Sequence, residues 1–395
     1  MAKRARKPSR RPQAGRVQEA LPALSSLTEL PEFEKLTASA TQREAYEEVV
    51  ARLVAEGFAQ ADELALGCVV RLDRGFPAVA CEGATFRCEF SARLTKGEYS
   101  KVAVGDWLCV RVPQGHDMGL IEAILPRKND LARWRGNARG ERQTLAANID
   151  SVLVVQALGE RGVSADRLAR SAMIVRDCGS EVAIVFTKAD RVDDEALGAA
   201  VALVRDILGS GVKLVLTSSE LERAGGEALQ HLMAQAVELG VLWGTAGVQA
   251  LVPKGSVAIM LGESGAGKST LLNALLGREA LETGAVRESD DTGRHTTVAR
   301  RMVSLPGAGV IVDAPGLRSL PVIGHERGLA LVFPDIAEAA QGCRFRDCTH
   351  THEPGCVVQE EFRAGAFSKE RLDAYLLLAR EMRENANGID PDVVI

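Results

Sequence analysis

Residues 256–276 read SVAIMLGESGAGKSTLLNALL, and the fold is decided here. An apolar run from Val257 to Leu261 has the length of one buried strand. A glycine-rich turn follows it, and a leucine-spaced helix opens at Lys268. Gly262-Glu263-Ser264-Gly265-Ala266-Gly267-Lys268-Ser269 fits G-x-x-x-x-G-K-S in the strand–loop–helix setting that the motif requires. The glycines let successive backbone N–H groups turn inward toward phosphate oxygens. Lys268 brings a cation to the β- and γ-phosphates, Ser269 offers a hydroxyl to Mg²⁺, and Thr270 continues the helix.

Outward from this loop the chain alternates between strand and helix patterns. Strands are expected at 151–157, 182–187, 212–217, 257–261, 301–305 and 309–313, with helices at 165–177, 195–208, 226–238 and 268–276. Such alternation marks a parallel sheet covered by helices. Before residue 126 the rhythm differs. Short β-rich pieces at 67–72, 77–81, 85–90, 106–112 and 119–124 are broken by Gly, Asp and Pro, which predicts a small all-β barrel. Their spacing fits both an oligonucleotide-binding (OB) type barrel and an SH3-like one. A helix is expected at 41–57 and another near 369–385, with short helical pieces from residue 321 onward.

Phosphate loops do not choose a base. Thr187-Lys188-Ala189-Asp190 ends the strand EVAIVF and resembles the [N/T]-K-x-D guanine motif. There Asp190 accepts from the ring N–H and the exocyclic amine, and the stem of Lys188 lies along the ring; adenine cannot supply that pair of donors. Thr217-Ser218-Ser219 ends the next strand, where GTPases place a serine-rich loop against the guanine carbonyl. Asp313-Ala314-Pro315-Gly316 resembles D-x-P-G, with Asp313 on Mg²⁺ through water and the Gly316 N–H at the γ-phosphate. Gly293-Arg294-His295-Thr296-Thr297 suits a switch loop, and either threonine is placed to reach Mg²⁺. The base motifs precede the phosphate loop, the reverse of the common GTPase order, so the set is complete but circularly permuted. The T-K-A-D motif and this order exclude an ATP-driven transport subunit.

The 46% hydrophobic and 26% charged fractions are those of a globular protein, and no apolar run is long enough to cross a bilayer. With no apolar stretch behind the basic N-terminus, a cytoplasmic location is expected. A net charge of −5 argues against a uniformly basic nucleic-acid binder. The charge is uneven, however: residues 1–16 carry seven Lys/Arg and no acid, and residues 127–142 carry six against two acids. These runs, with the barrel, are candidates for tracking RNA phosphates. Residues 1–20 lack an apolar stripe and are expected to be a disordered tail. Of eight cysteines, Cys68, Cys81, Cys88, Cys109 and Cys178 are expected to be reduced core residues. Cys343, Cys348 and Cys356 crowd beside two histidines. With His350 they form a tetrahedral Zn²⁺ set, for which His352 is a rival ligand.

The motifs GCVVRLDRGFPAV, VGDWL, PRKNDLAR, ANIDSVLVV, TKAD, GESGAGKST, GRHTT, DAPGLR and CRFRDCTHTHEPGC together resemble the circularly permuted ribosome small-subunit-dependent GTPase A family (RsgA, also called YjeQ), from about residue 67 to 378. The resemblance implies an OB-fold barrel (63–126) after a basic disordered tail and N-terminal helix (1–62). A basic linker (127–145), a permuted GTPase domain (146–320) and an α-helical zinc-binding domain (321–395) follow. It also implies a monomer that binds the small (30S) subunit and its 16S rRNA and assists late maturation, hydrolysing GTP to GDP and phosphate. By position, nucleotide contacts fall on Lys188, Asp190, residues 265–270, Thr297 and Asp313, and zinc ligands on Cys343, Cys348, His350 and Cys356. Ala314 and Val298 depart from the family pattern. Thr187 in place of Asn is expected to loosen the tie between base loop and phosphate loop. Leu317 stands where many GTPases carry a water-orienting Gln, which predicts slow intrinsic turnover. His295 resembles a family residue proposed to orient that water; an exposed switch residue or RNA contact is the alternative. Two other readings are a GTPase of another permuted family, disfavoured by the zinc cluster and barrel, and a vestigial RNA-binding module, disfavoured by intact Lys268, Ser269 and Asp313.

Overall fold

A computed structural model describes residues 30–73, 76–94, 102–113, 118–135, 141–277, 300–313 and 322–387. The switch-loop residues His295, Thr296 and Thr297, together with Val298, Ala314, Gly316, Leu317 and the basic tail, lie outside the described residues.

The chain opens with α1 (Ala40–Ala55), whose start is fixed by a reciprocal Ser39–Gln42 capping box. Then come β1 (Leu64–Asp73), β2 (Phe76–Cys81), β3 (Ala84–Phe90), β4 (Trp107–Arg111) and β5 (Gly119–Ile124). Strand order β1-β2-β3-β5-β4 closes through a β1–β4 pairing, and β3 and β5 run parallel. This is the order of an OB-type barrel, so the topology selects between the two barrels that spacing leaves open. Alternate side chains Val69, Val79, Leu108, Val110 and Ile121 fill its interior. Cys68, Cys81, Cys88 and Cys109 are buried in or beside it, and burial pushes the Cys81, Cys88 and Cys109 thiols up to about 12, which leaves them inert. Cys178 is a reduced thiol as well, but only half-buried.

The basic segment after the barrel is not a bare linker. It folds into an antiparallel pair, β6 (Asp130–Arg135) and β7 (Glu141–Ala147). Arg127, assigned above to a phosphate-tracking run, donates instead to both oxygens of the fully buried Asp106, at 2.7 and 2.8 Å. Lys128 pairs with Asp150 at 3.0 Å. Two of that run's cations thus pair with carboxylates at the junction, Arg127 with the buried Asp106 and Lys128 at the surface. Gln42, almost wholly buried, joins the same junction by donating to Pro126 O and Asn148 Oδ1.

The α/β region follows as β8 (Ser151–Ala157), α2 (Ala165–Asp177), β9 (Glu181–Thr187), α3 (Asp194–Leu208), β10 (Lys213–Leu216), α4 (Ser219–Ala224), α5 (Glu227–Glu238), β11 (Leu242–Trp243), α6 (Gly244–Ala250), β12 (Val257–Leu261), α7 (Lys268–Leu276), β13 (Arg300–Ser304) and β14 (Val310–Asp313). Strands β11-β10-β9-β8-β12-β14 are parallel in that order. β13 corrects the all-parallel expectation: it runs antiparallel to β14 and also to β1 of the barrel. One twelve-stranded sheet among the described residues thus joins barrel and α/β region.

The C-terminal helices are α8 (Glu326–Val332), α9 (Pro334–Gln341), α10 (Val357–Arg363) and α11 (Lys369–Asn387). α8 and α11 pack on α2, α11 also on α3, and α9 and α10 continue outward from α8. Gly328 lies so close to α2 that a Cβ there would sit 2.2 Å from Met173 O. Arg371 donates to the Asp206 and Ile207 carbonyls at the end of α3, and to Asp335. These contacts hold the C-terminal region firmly against the α/β core.

Candidate nucleotide site and metal centre

The phosphate loop lies at the C-terminal edge of the sheet, between β12 and α7. Its first glycine is required by packing, because a Cβ on Gly262 would meet Val155 O at 2.4 Å. Gly267, at φ +85°, turns the chain into α7, whose first N–H groups face the loop. Lys268 Nζ donates to Gly262 O at 2.6 Å and Glu263 O at 2.7 Å, arching over the loop. Glu263 also accepts from Arg167 of α2 at 2.7 Å. Ser264, Gly265, Ser269 and Thr270 are exposed along the loop and the start of α7, and Ala266 is buried beneath them.

The base motif is bound to this loop directly. Thr187, buried at the end of β9, donates from Oγ1 to Ala266 O at 2.7 Å. Lys188 takes a left-handed conformation at φ +58°, which sends its Nζ to Gly265 O at 2.9 Å. With Thr in place of Asn the two loops are still tied, the hydroxyl reaching the carbonyl where an amide would. Asp190 is exposed in the turn that follows. Thr217 and Ser218 lie beside this turn, and each hydroxyl makes one hydrogen bond within the protein. Thr217 Oγ1 donates to Phe186 O, and Ser218 Oγ accepts from Leu221 N to cap α4.

Asp313 ends β14 with Lys268 close enough to act on it. Burial raises its carboxyl pKa, and the charges of Arg301 and then Lys268 oppose that rise. The arrangement sets the exposed Asp190 carboxylate, the phosphate loop with Lys268, and the Asp313 carboxylate along one edge of the sheet. That suits one purine nucleotide with a divalent cation.

The metal centre is equally well defined. The ligand atoms of Cys343, Cys348, His350 and Cys356 all lie within 4.8 Å of one another. His350 Nδ1 is 3.5 Å from Cys343 Sγ and from Cys356 Sγ, and those two sulfurs are 3.9 Å apart. A tetrahedral Zn²⁺ with bonds of about 2.3 Å to S and about 2.0 Å to N spaces ligands about 3.8 Å (S–S) and about 3.5 Å (S–N) apart, so these residues fit the ion. His352 is excluded from the set, since it is exposed and its Nδ1 lies 2.8 Å from Thr351 Oγ1. Sequence reasoning passed over the scaffold of the loop. Glu353 accepts from the N–H groups of Thr349, Thr351 and His352, and Gln359 donates to His350 O at 2.7 Å. These contacts hold His350 at φ +59°, facing the thiols. Burial lowers the His350 pKa, which favours the neutral imidazole a metal needs.

The model of the RsgA GTPase family matches residues 124–250 and 249–323. The chain is 37% identical over 323 residues to the small ribosomal subunit biogenesis GTPase RsgA of Streptomyces coelicolor, covering 81% of each. It is 34% identical over 279 residues to that of Methanosarcina acetivorans, covering 71% of this chain and 69% of the other. Its fold is similar to YjeQ from Thermotoga maritima, with a TM-score of 0.57 at 23% identity over 81% of this chain and 99% of that one. It is also similar to YloQ, a circularly permuted GTPase, with a TM-score of 0.55 at 22% identity over 81% and 96%.

Proposed function

The chain belongs to the RsgA GTPase family, and on that premise we propose that it hydrolyses GTP to GDP and phosphate on the small ribosomal subunit, whose late maturation it assists. The observation that carries this reading is the Thr187–Ala266 hydrogen bond, which fastens the base loop to the phosphate loop so that both act on one nucleotide. Asp190 reads the guanine edge. Backbone N–H groups of residues 263–269 and Lys268 take the phosphates. Ser269 and Asp313, with a switch threonine, would hold Mg²⁺, which would neutralise charge on the β- and γ-phosphates. Zn²⁺ on Cys343, Cys348, His350 and Cys356 has four protein ligands and no open position, so its role is structural.

The partner is the 30S particle, engaged through its 16S rRNA by the barrel and the C-terminal region, with the chain acting as a monomer in the cytoplasm. No helix among the described residues is long and apolar enough to cross a membrane, in keeping with such a partner. Leu317 cannot polarise water, so turnover depends on the particle, with His295 as candidate orienting group. Steady-state phosphate release with and without purified 30S subunits tests the reading. GTP turnover is expected to rise at least about tenfold on adding subunits, a lowering of the barrier by about 1.4 kcal/mol. A rate indifferent to subunits would remove the ribosomal partner from the account.

A further inference from the structure

The ladder that joins the barrel to the α/β region places three charges in a row. Arg71 of β1 is directly opposite Arg301 of β13, and Arg301 is directly opposite Asp313 of β14. Residues paired in this way share a face of the sheet, with Cβ atoms about 5 Å apart. The neighbouring Arg300 confirms the alternation, because its Nη1 reaches Thr144 O on the β6–β7 hairpin at 3.5 Å. We propose that Arg301 is a positioning residue for Asp313: its guanidinium, opposite the carboxylate, weakens that carboxylate's hold on a divalent cation, so that Mg²⁺ exchanges readily in the free protein. The inference rests on the reading of Asp313 as the carboxylate that faces Mg²⁺.

Two observations give the interaction its direction. Like charges directly opposite one another repel, which favours an Arg301 conformation leaning away from β1. Asp313 is half-buried, and Arg301 is its direct neighbour across the β13–β14 ladder. A guanidinium beside that carboxylate repels a dication. Because Arg71 belongs to the barrel, the seating of the barrel strand on β13 sets where Arg301 lies. A change in the barrel on binding a particle would thereby reach the cation site through two side chains.

Retention of a fluorescent GDP by the full-length protein, followed across a Mg²⁺ series, tests this without reading turnover. A unit charge about 7 Å from a dication, screened as in water, changes its binding roughly tenfold. Arg301→Gln is expected to lower the half-saturating Mg²⁺ concentration by about that factor. Arg301→Met, which keeps an unbranched stem, should give the same shift, so a folding defect in one variant does not decide the outcome. Arg301→Lys should stay near the parent. An unchanged or increased Mg²⁺ requirement in both neutral variants would overturn the proposal. A parent protein whose GDP retention ignores Mg²⁺ would instead overturn the reading of Asp313 as the carboxylate that faces Mg²⁺.

Discussion

Asp190→Asn is expected to reduce GDP affinity by at least about a thousandfold and to create affinity for xanthine nucleotides. Guanine presents two donors, the ring N–H and the exocyclic amine, to the carboxylate. Hydrogen bonds to a charged group contribute about 1.5–3 kcal/mol each, and the asparagine amide would set a donor against a donor. Xanthine carries a carbonyl where guanine carries the amine, so the amide regains a partner. Asp190 is exposed, and the tie between the loops runs through Thr187 and Lys188. Thermal stability should therefore be unchanged while specificity changes, a combination that a general folding defect does not produce. Competition against a fluorescent guanine nucleotide measures both affinities. Undiminished GDP binding by the variant would mean that Asp190 does not face the base.

Removing the metal should have the second largest effect, confined to one part of the molecule. Between Cys343 and Cys356 the chain has turns but no helix or strand, and its burial is concentrated in Cys348, His350 and Cys356. Structural zinc contributes about 10–16 kcal/mol in small zinc-binding peptides, so a segment with so little other burial cannot hold its shape without it. Helices α8, α9 and α11 have separate anchors in Gly328 against α2 and Arg371 on the end of α3. A strong chelator, or Cys348→Ala, is thus expected to bring residues 343–356 and the start of α10 to rapid amide exchange. Exchange in β8, β12 and α7, and GDP affinity, should remain as in the parent. Exchange mass spectrometry on treated protein measures this directly. Unaltered protection over 343–356 would show that the segment folds without metal.

The parts of the molecule that sequence made legible are those whose stability is local. β8, β12, α2 and α7 begin and end where read, because each is an apolar run or stripe bounded by a cap such as Ser164 or a turn glycine such as Gly267. The β6–β7 hairpin was hidden because its strands, DLARWR and ERQTLAA, carry charges where an alternating apolar pattern would have marked them. The direction of β13 and its pairing with the barrel are long-range choices that hydrophobic periodicity does not encode. Motifs identified the nucleotide-site residues by type but not by atom. Nothing in T-S-S announces that the Thr217 and Ser218 hydroxyls turn inward to Phe186 and α4. Likewise, nothing in the basic run shows that Arg127 closes on Asp106, since the partner is 21 residues away. At the zinc loop spacing left His350 and His352 as rivals, and the choice came from the backbone turn that Glu353 and Gln359 impose.

The account rests on base loop and phosphate loop gripping the same molecule. Titration of the unmodified protein with GDP and with ADP in excess Mg²⁺ tests that most directly. GDP is expected to bind at least about a thousandfold more tightly, because adenine leaves the Asp190 carboxylate without its two donors. Equal affinities would contradict the account, since the phosphate loop would then hold its ligand with no reading of the base at all.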